Sequence, residues 1–339
     1  MSMKTDDLIL LGHGSGGTLS HRLLDELIVA TLSGHGPNEQ NDAALLAAGS
    51  TRLAFTTDGY VVDPPLFPGG SIGSLAVHGT VNDLAMMGAR PLWLSCALII
   101  EEGFSRSQLA EILSDMRQAA DNAQVRIVTG DTKVVPRGKA DQIFITTSGV
   151  GVLEHDLSIH GANARPGDRI ILSGSMGDHG IAVMAAREGL PAAGLCSDSA
   201  ALWGLVDQML ACAGAGVRVL RDPTRGGVAT TLKEIAQQSG VTIQLEEEQV
   251  PVAPQVRAVC DILGLDPFYV ANEGKLLAVV APEAAEPLLE AMQQHPLGAE
   301  AAIIGTVEDG EPGRVRMRTV VGGMRIVEML AGEQLPRIC

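Results

Sequence analysis

The sequence predicts an α/β protein of two domains, and three observations carry that prediction. Strand-like and helix-like segments alternate along the whole chain, as expected where helices pack on sheets. The 339 residues suffice for two domains, each with a sizeable core. Ala, Gly, Leu and Val abound while aromatic residues make up 3%, a composition that lets small-residue helices lie close against strands.

Taken in order, residues 52–57 read as a strand that stops at Asp58-Gly59. Residues 71–87 form a helix of small apolar residues, closed by Gly88 with Pro91 beyond it, a C-terminal stop signal. The unbroken apolar run 92–100 is a buried strand. Ser105 caps the next helix with Gln108 three residues on, and Leu109, Ile112, Leu113 and Met116 follow at helical spacing. Strands at 125–128 and 142–152 complete a first α/β unit ending near Glu154. The turn-rich run Asn163-Ala164-Arg165-Pro166-Gly167-Asp168 leads to a strand at 169–172. A helix marked by Leu202, Leu205, Val206, Met209 and Leu210 follows, then another from near Thr224 that turns Ala229, Leu232, Ile235 and Ala236 inward. Glu246-Glu247-Glu248 reads as a solvated edge. The expected division is 1–155, 156–331 and a flexible tail, 332–339.

Composition excludes several function classes. A net charge of −16 opposes non-specific binding to nucleic acid or to an anionic membrane. The five cysteines (Cys96, Cys196, Cys212, Cys260 and Cys339) are scattered with no Cys-x-x-Cys pair, so neither a disulfide framework nor a structural zinc site is expected. The first four of these read as buried small side chains. Acids at Asp6 and Asp7 stand where a secretory signal needs positive charge, and the run 92–100 is too short to span a bilayer. A soluble, cytoplasmic protein is expected.

The chain's chemistry gathers in a few places. Gly12-His13-Gly14-Ser15-Gly16-Gly17 follows an apolar run, and its glycines let backbone N–H groups converge on phosphate oxygens. It lacks the Gly-Lys-Ser/Thr ending of a Walker A loop, and a plain surface loop is the blander reading. Five acids recur beside strand ends or glycine turns: Asp42, Asp58, Asp83, Asp131 and Asp222. Any one alone reads as a turn or cap residue. Asp83 differs because it falls inside an apolar helix, where a carboxylate is costly unless paired or metal-bound. Hard carboxylate oxygens suit magnesium with substrate phosphates, and Lys133 and Arg225 add positive charge beside two of the acids. Together these residues read as a magnesium–triphosphate site spread over both domains.

Cys339 closes the sequence after Pro336-Arg337-Ile338. An extended tail from Gly332 could carry its sulfur roughly 20–25 Å, a nucleophile on an arm that visits a partner and then its own body. A prenylation box would put its cysteine four residues from the end, so lipid anchoring is disfavoured.

The segments Thr-Thr-Asp-Gly (56–59), Val-Asn-Asp-Leu-Ala-Met-Met-Gly-Ala-Arg-Pro (81–91) and Gly-Asp-Thr-Lys (130–133) resemble the ATP-binding superfamily of aminoimidazole ribonucleotide synthetase, selenophosphate synthetase and thiamine monophosphate kinase. With His-Gly-Ser-Gly-Gly near the start and Pro-Arg-Ile-Cys at the end, the whole chain resembles the hydrogenase-maturation branch, the HypE family. His13 and Ser15 stand where selenophosphate synthetases would carry a reactive Cys or selenocysteine, which counts against that relative.

The resemblance implies an N-terminal sheet that pairs across a homodimer, with ATP bound between the two domains. Asp42, Asp58, Asp83, Asp131 and Asp222 would hold magnesium. Gly14, Ser15, Gly16, Gly17, Thr57, Asn82, Gly130 and Arg225 would hold the nucleotide. A HypF-like partner would transfer a carbamoyl group to Cys339. ATP would then drive its dehydration to a thiocyanate, a cyanide ligand passed to an iron-bearing HypC–HypD-like complex. Phosphorylating the amide oxygen makes it a good leaving group, with Lys133 stabilising the γ-phosphoryl charge. Loss of both N–H protons requires a base. Glu273, in Ala-Asn-Glu-Gly-Lys, is the candidate, with His13 an alternative and an ordinary Glu273–Lys275 turn pair the plainer reading. Two other functions stay open: a small-molecule kinase or synthetase of the superfamily, and a nucleotide-sensing scaffold.

Overall fold

A computed structural model of the chain describes residues 8–14, 16–32, 41–190, 194–330, 335 and 337–339. A short turn at Leu11–Gly14 precedes α1 (Thr18–Leu23), which continues through Leu24–Val29 and Ala30–Leu32. A five-stranded sheet follows, made of β1 (Ala44–Ala48), β2 (Thr51–Tyr60), β3 (Arg90–Glu101), β4 (Arg126–Val135) and β5 (Ile143–Val152). Their order is β1-β2-β5-β3-β4. Only β3 and β4 run parallel, which requires the crossover helix between them. Strand β2 runs beyond the expected stop, because Gly59 keeps an extended register opposite Thr146. Strand β4 likewise continues past Val128 to Val135.

Helix α2 (Ile72–Met86) begins at a capping box. Ser71 Oγ accepts from the Gly73 and Ser74 N–H groups, and Ser74 Oγ accepts from the Ser71 N–H. It stops at Gly88, whose positive φ of 68° a glycine adopts without strain. Made mostly of small and apolar residues, it is buried on nearly every side. Its partner α3 (Arg106–Asn122), capped by Ser105, is amphipathic and buries Ile112, Met116, Ala119 and Ala120. The two helices cover one face of the first sheet. Its other face is open and apolar, with Leu46, Phe55, Trp93, Ile99 and Val128 exposed.

The second sheet contains β6 (Arg169–Leu172), β7 (Val217–Arg221), β8 (Thr242–Glu246), β9 (Leu277–Val280), β10 (Ala302–Glu308), β11 (Arg314–Arg318) and β12 (Met324–Ile326). Its order is β12-β11-β8-β10-β6-β9-β7. The intervening helices are α4 (Asp178–Glu188), α5 (Trp203–Ala213), α6 (Gly227–Ser239), α7 (Pro254–Leu263) and α8 (Pro282–Gln293). Alternate residues of its strands serve two cores. Ile170, Leu172 and Val219 meet Val228, Leu232 and Ile235 of α6. Ile171, Leu220 and Ala278 meet Leu205, Met209, Leu288 and Met292 of α5 and α8. The expectation that four cysteines are buried holds for Cys260 but not for Cys196 and Cys212, which are exposed. Cys196 lies in a loop after α4, and Cys212 in the last turn of α5, beyond its buried residues.

Helix α2 ties the halves together. Ala85 and Met86 at its end join the core under α5 and α8. The Asn82 side chain donates to the carbonyls of Ala200 and Glu273 and accepts from the Leu202 N–H.

The α2–α3 contact makes a test. A Cβ at Gly73 would fall well inside contact distance of the Ile112 carbonyl oxygen. Gly73→Ala should therefore destabilise the protein by about 1–3 kcal/mol from overpacking. That outweighs the gain of about 1 kcal/mol that alanine brings to a helix interior. Thermal or urea unfolding against wild type checks the sign.

Candidate active site between the two sheets

The acids converge from four places. Asp42 lies two residues before β1, Asp58 comes from β2, Asp83 from α2, and Asp222 follows the last residue of β7. One carboxylate oxygen from each of Asp42, Asp83 and Asp222 lies within 4.8 Å of the other two. Thr56 Oγ1 donates to Asp83 Oδ2 at 2.7 Å. Arg221 Nε lies 2.8 Å from Asp42 Oδ1, and Arg221 NH2 lies 2.8 Å from Glu234 Oε2. Glu234 also holds His21 at 3.0 Å.

Like charges crowded out of water cannot all stay ionised. Burial, then the opposing charges of its neighbours, pushes Asp83 well above the usual carboxylate range. Asp222 is pushed up to about 8, by burial first and Asp42 next. Asp42 rises to about 6 through burial, with Arg221 opposing the shift. The buried Asp42 Oδ2 has no hydrogen-bond partner. An unsatisfied oxygen beside two more carboxylates fits a hard divalent cation such as magnesium.

Two cavities meet at these acids. The larger, about 400 Å³, is lined by His13, Gly14, Gly16, Thr57, Asp42 and Arg221, among others. The smaller, about 30 Å³, suits one or two water molecules and is bounded by Glu273 and Cys339. Asp58, Asp83, Asp222, Thr224 and Arg225 line both. The Arg225 guanidinium donates to the Gly14 carbonyl at 3.0 Å. A Cβ at Gly16, which has φ of 74°, would press on Arg225. The glycine loop is thus folded against the arginine that faces Cys339.

Glu273 is buried, its Oε1 has no hydrogen-bond partner, and its pKa lies well above the usual range. Burial is the first cause and the charges of Asp222, Asp198 and Asp58 the next, while Arg225 opposes them. Lys275 does not pair with it, lying instead 3.4 Å from Asp198 Oδ2. Ile338 is buried and Cys339 half-buried. The Val61 N–H donates to the Cys339 carbonyl (3.2 Å) and the Asp63 N–H to the Arg337 carbonyl (3.2 Å). In this structure the thiol rests inside.

The chain thus brings Cys339, Glu273, Asp58, Asp83, Asp222 and Arg225 together. Asp42, Thr57, His13, Gly14 and Gly16 stand around the adjoining cavity, and Gly17 lines a third beside Leu335 and Cys339. Other expected residues are not brought in. Asp131 and Lys133 pair with each other at 2.7 Å, with side chains 62% and 68% exposed. Asp131 stands in the row Gly59–Thr146–Ala97, whereas Asp58 stands in the row Thr147–Cys96–Gly130. Adjacent rows point to opposite faces, so Asp131 and Lys133 project from the open face. Gly130 has a packing role, since a Cβ there would collide with the Cys96 carbonyl. The Asn82 amide is spent on the inter-sheet joint. Ser15 lies outside the described residues.

Sequence reasoning missed Thr56, Arg221, Glu234 and His21. Arg221 had a local signal, a cation directly before Asp222. Thr56 stood in the Thr-Thr-Asp-Gly segment, and Glu234 and His21 had no such signal.

The chain matches two family models, "AIR synthase related protein, N-terminal domain" over residues 40–153 and its C-terminal counterpart over 165–318. It is 56% identical to the carbamoyl dehydratase HypE of Cupriavidus necator, over 97% of this chain and 94% of that one. Two crystal structures are similar. HypE in complex with ATP is 49% identical, covering 98% of this chain and 100% of that one, with a TM-score of 0.82. HypE in a HypE–HypF complex is 46% identical, covering 91% and 99%, with a TM-score of 0.86.

Raised carboxyl pKa values fix the sign of a pH effect. The folded state holds protons that the unfolded chain releases, so this contribution is complete below the ordinary carboxylate range. It is lost as pH rises through about 6 for Asp42 and about 8 for Asp222. In cation-free buffer the melting temperature should fall between pH 6 and pH 9. Magnesium should raise it most at the alkaline end. Asp83→Asn should melt higher than wild type without the cation and lose most of the magnesium response, read by scanning calorimetry.

Proposed function

We infer that this chain, which belongs to the AIR synthase related family and within it to the HypE carbamoyl dehydratases, carries the group it dehydrates on Cys339. It is an ATP-dependent carbamoyl dehydratase of hydrogenase maturation. The observation that carries the assignment to Cys339 is its place beside Glu273 in a water-sized void. The acids bounding that void also line the larger cavity beneath the glycine loop.

The proposed chemistry follows from that placement. A HypF-type partner supplies the carbamoyl group to the Cys339 sulfur, in keeping with the HypE–HypF complex. The amide oxygen attacks the γ-phosphorus of ATP and leaves ADP. The resulting S–C(=NH)–OPO₃ group loses phosphate and its remaining N–H proton, giving S–C≡N. Glu273 takes protons from the nitrogen, and its raised pKa makes the ionised form a stronger base than an exposed glutamate. Arg225, facing both cavities, stabilises negative charge at the transferring phosphoryl group. Magnesium held by Asp42, Asp83 and Asp222, with Asp58 beside them, would neutralise phosphate charge. His13, Gly14, Ser15, Gly16, Gly17 and Thr57 form the nucleotide's surroundings. A narrow, half-closed site limits hydrolysis of the product. An iron-bearing HypC–HypD-like acceptor would take the cyanide.

The reading keeps residues 1–155 as the nucleotide-binding and dimerising part, 156–331 as the second α/β part and 332–339 as the arm. No helix among the described residues is long and apolar enough to cross a membrane. A cytoplasmic location is proposed, because none of the five cysteines is joined in a disulfide. A homodimer is proposed on the open face of the first sheet, where Phe55, Trp93 and Val128 are 42%, 47% and 52% exposed. A second copy covering that face would bring Lys133 and Asp131 against another subunit.

Two experiments test this. After incubation with a HypF-type partner, carbamoyl phosphate and ATP-magnesium, wild type should gain a carbamoyl group on the Cys339 peptide and then lose one water by intact-mass analysis. Cys339→Ala should gain nothing. Glu273→Gln should keep the adduct and lose water on the order of 10²–10⁴ times more slowly. Absence of an adduct on Cys339 with an active partner would sink the reading. In the second, mixed Lys133→Ala and Glu273→Gln chains should recover dehydration that neither variant shows alone. No recovery would place Lys133 outside the neighbouring site.

A further inference from the structure

We propose that His179 is a positioning residue for the dehydration step, seating the Ile338 carbonyl through a hydrogen-bond relay that also fixes the Glu273 backbone. The proposal rests on the reading of Cys339 as the carbamoyl carrier. His179 is fully buried in the first turn of α4, far along the chain from any other site residue. Its Nε2 lies 2.9 Å from the Ile338 carbonyl oxygen, and its Nδ1 lies 2.8 Å from Ser197 Oγ. A carbonyl only accepts, so Nε2 carries the proton and Nδ1 of the neutral ring accepts from the Ser197 hydroxyl. Ser197 Oγ in turn accepts from the Ser199 N–H at 3.1 Å. Every polar atom of the imidazole is thus used, and its ring meets Phe67 edge-on, with centroids 5.5 Å apart.

The loop carrying Ser197 reaches the base as well. Asp198 Oδ1 accepts from the Glu273 N–H at 3.0 Å, and the Ala200 N–H donates to the Glu273 carbonyl. A Cβ at Gly274 would collide with the Asp198 carbonyl, so the two segments lie in direct contact. Ser199 Oγ bonds His78 of α2 at 2.9 Å, and the Ser197 N–H donates to the Pro68 carbonyl at 2.8 Å. One short loop, held at both flanks, therefore sets the distance between the residue before the thiol and the base. Neither Ser197 nor His179 touches the reacting atoms. They decide where Cys339 stops when it comes in.

The test separates seating from folding and from carbamoyl transfer. Alkylation of Cys339 by iodoacetamide without nucleotide, resolved by peptide mass, reports how often the thiol is undocked. His179→Leu leaves the Ile338 carbonyl buried and unpaired, so alkylation should be faster by roughly ten- to a hundredfold. Carbamoylation by the partner should hold or rise, while single-turnover water loss should slow by a similar factor. His179→Gln, which keeps a donor, should recover part of both. Ser197→Ala keeps the imidazole and removes the hydroxyl that donates to it and accepts from the Ser199 N–H, so it carries the test if His179→Leu does not fold, with faster alkylation expected. Wild-type rates of alkylation and water loss in the folded variants would overturn the proposal. So would equal losses in His179→Leu and His179→Gln, the mark of a packing role. If wild type itself takes no carbamoyl group at Cys339, the proposed function fails while the alkylation comparison still reports seating.

Discussion

Three carboxylates forced together out of water set the terms for the rest of the molecule. Asp42, Asp83 and Asp222 come from segments far apart in sequence, and the cost of crowding them must be met locally. Arg221 neutralises one of them and is itself anchored by Glu234. Thr56 satisfies a second. What remains is a cluster of carboxyl oxygens facing a polar cavity, where a bound cation would take the place of the protons that burial makes them keep. The same desolvation that strains the apo site would strengthen that binding.

The position of α2 follows from this constraint. A helix buried on nearly every side can hold Asp83 at the junction only if its remaining surface is apolar and closely packed. Gly73 against Ile112 and the small residues along the helix supply that packing. Asn82, beside Asp83, then locks the second sheet in place through three hydrogen bonds. Adjacent residues thus divide the work, one facing the acids and one fixing the interface on which their spacing depends.

The Cys339 end of the chain completes the site from inside. Backbone bonds from residues 61 and 63, the buried Ile338 and the His179 contact hold the sulfur next to a buried, unpaired glutamate. Arg225 connects this void to the glycine loop, so the loop, the acids and the thiol share one electrostatic environment. Such a placement suits a group that must meet a phosphoryl donor and a base at once.

Much of this was legible in the chain itself. Local rules marked the Ser105 cap, the Gly88 stop, the strand at 169–172 and the cost of an acid within an apolar helix, because each depends on neighbours a few residues away. The Thr-Thr-Asp-Gly, Val-Asn-Asp and Pro-Arg-Ile-Cys motifs marked the family and its chemistry. Tertiary structure decided what sequence spacing could not. Asp58 and Asp131 sit in similar motifs, yet they occupy sheet rows one residue out of phase and so face opposite ways. Arg221, Glu234 and His179 gained their roles from partners in distant segments. Backbone propensity and capping act over a few residues and are written in the sequence. Charge pairing and side-chain direction are settled only when the sheets take their registers and close on one another.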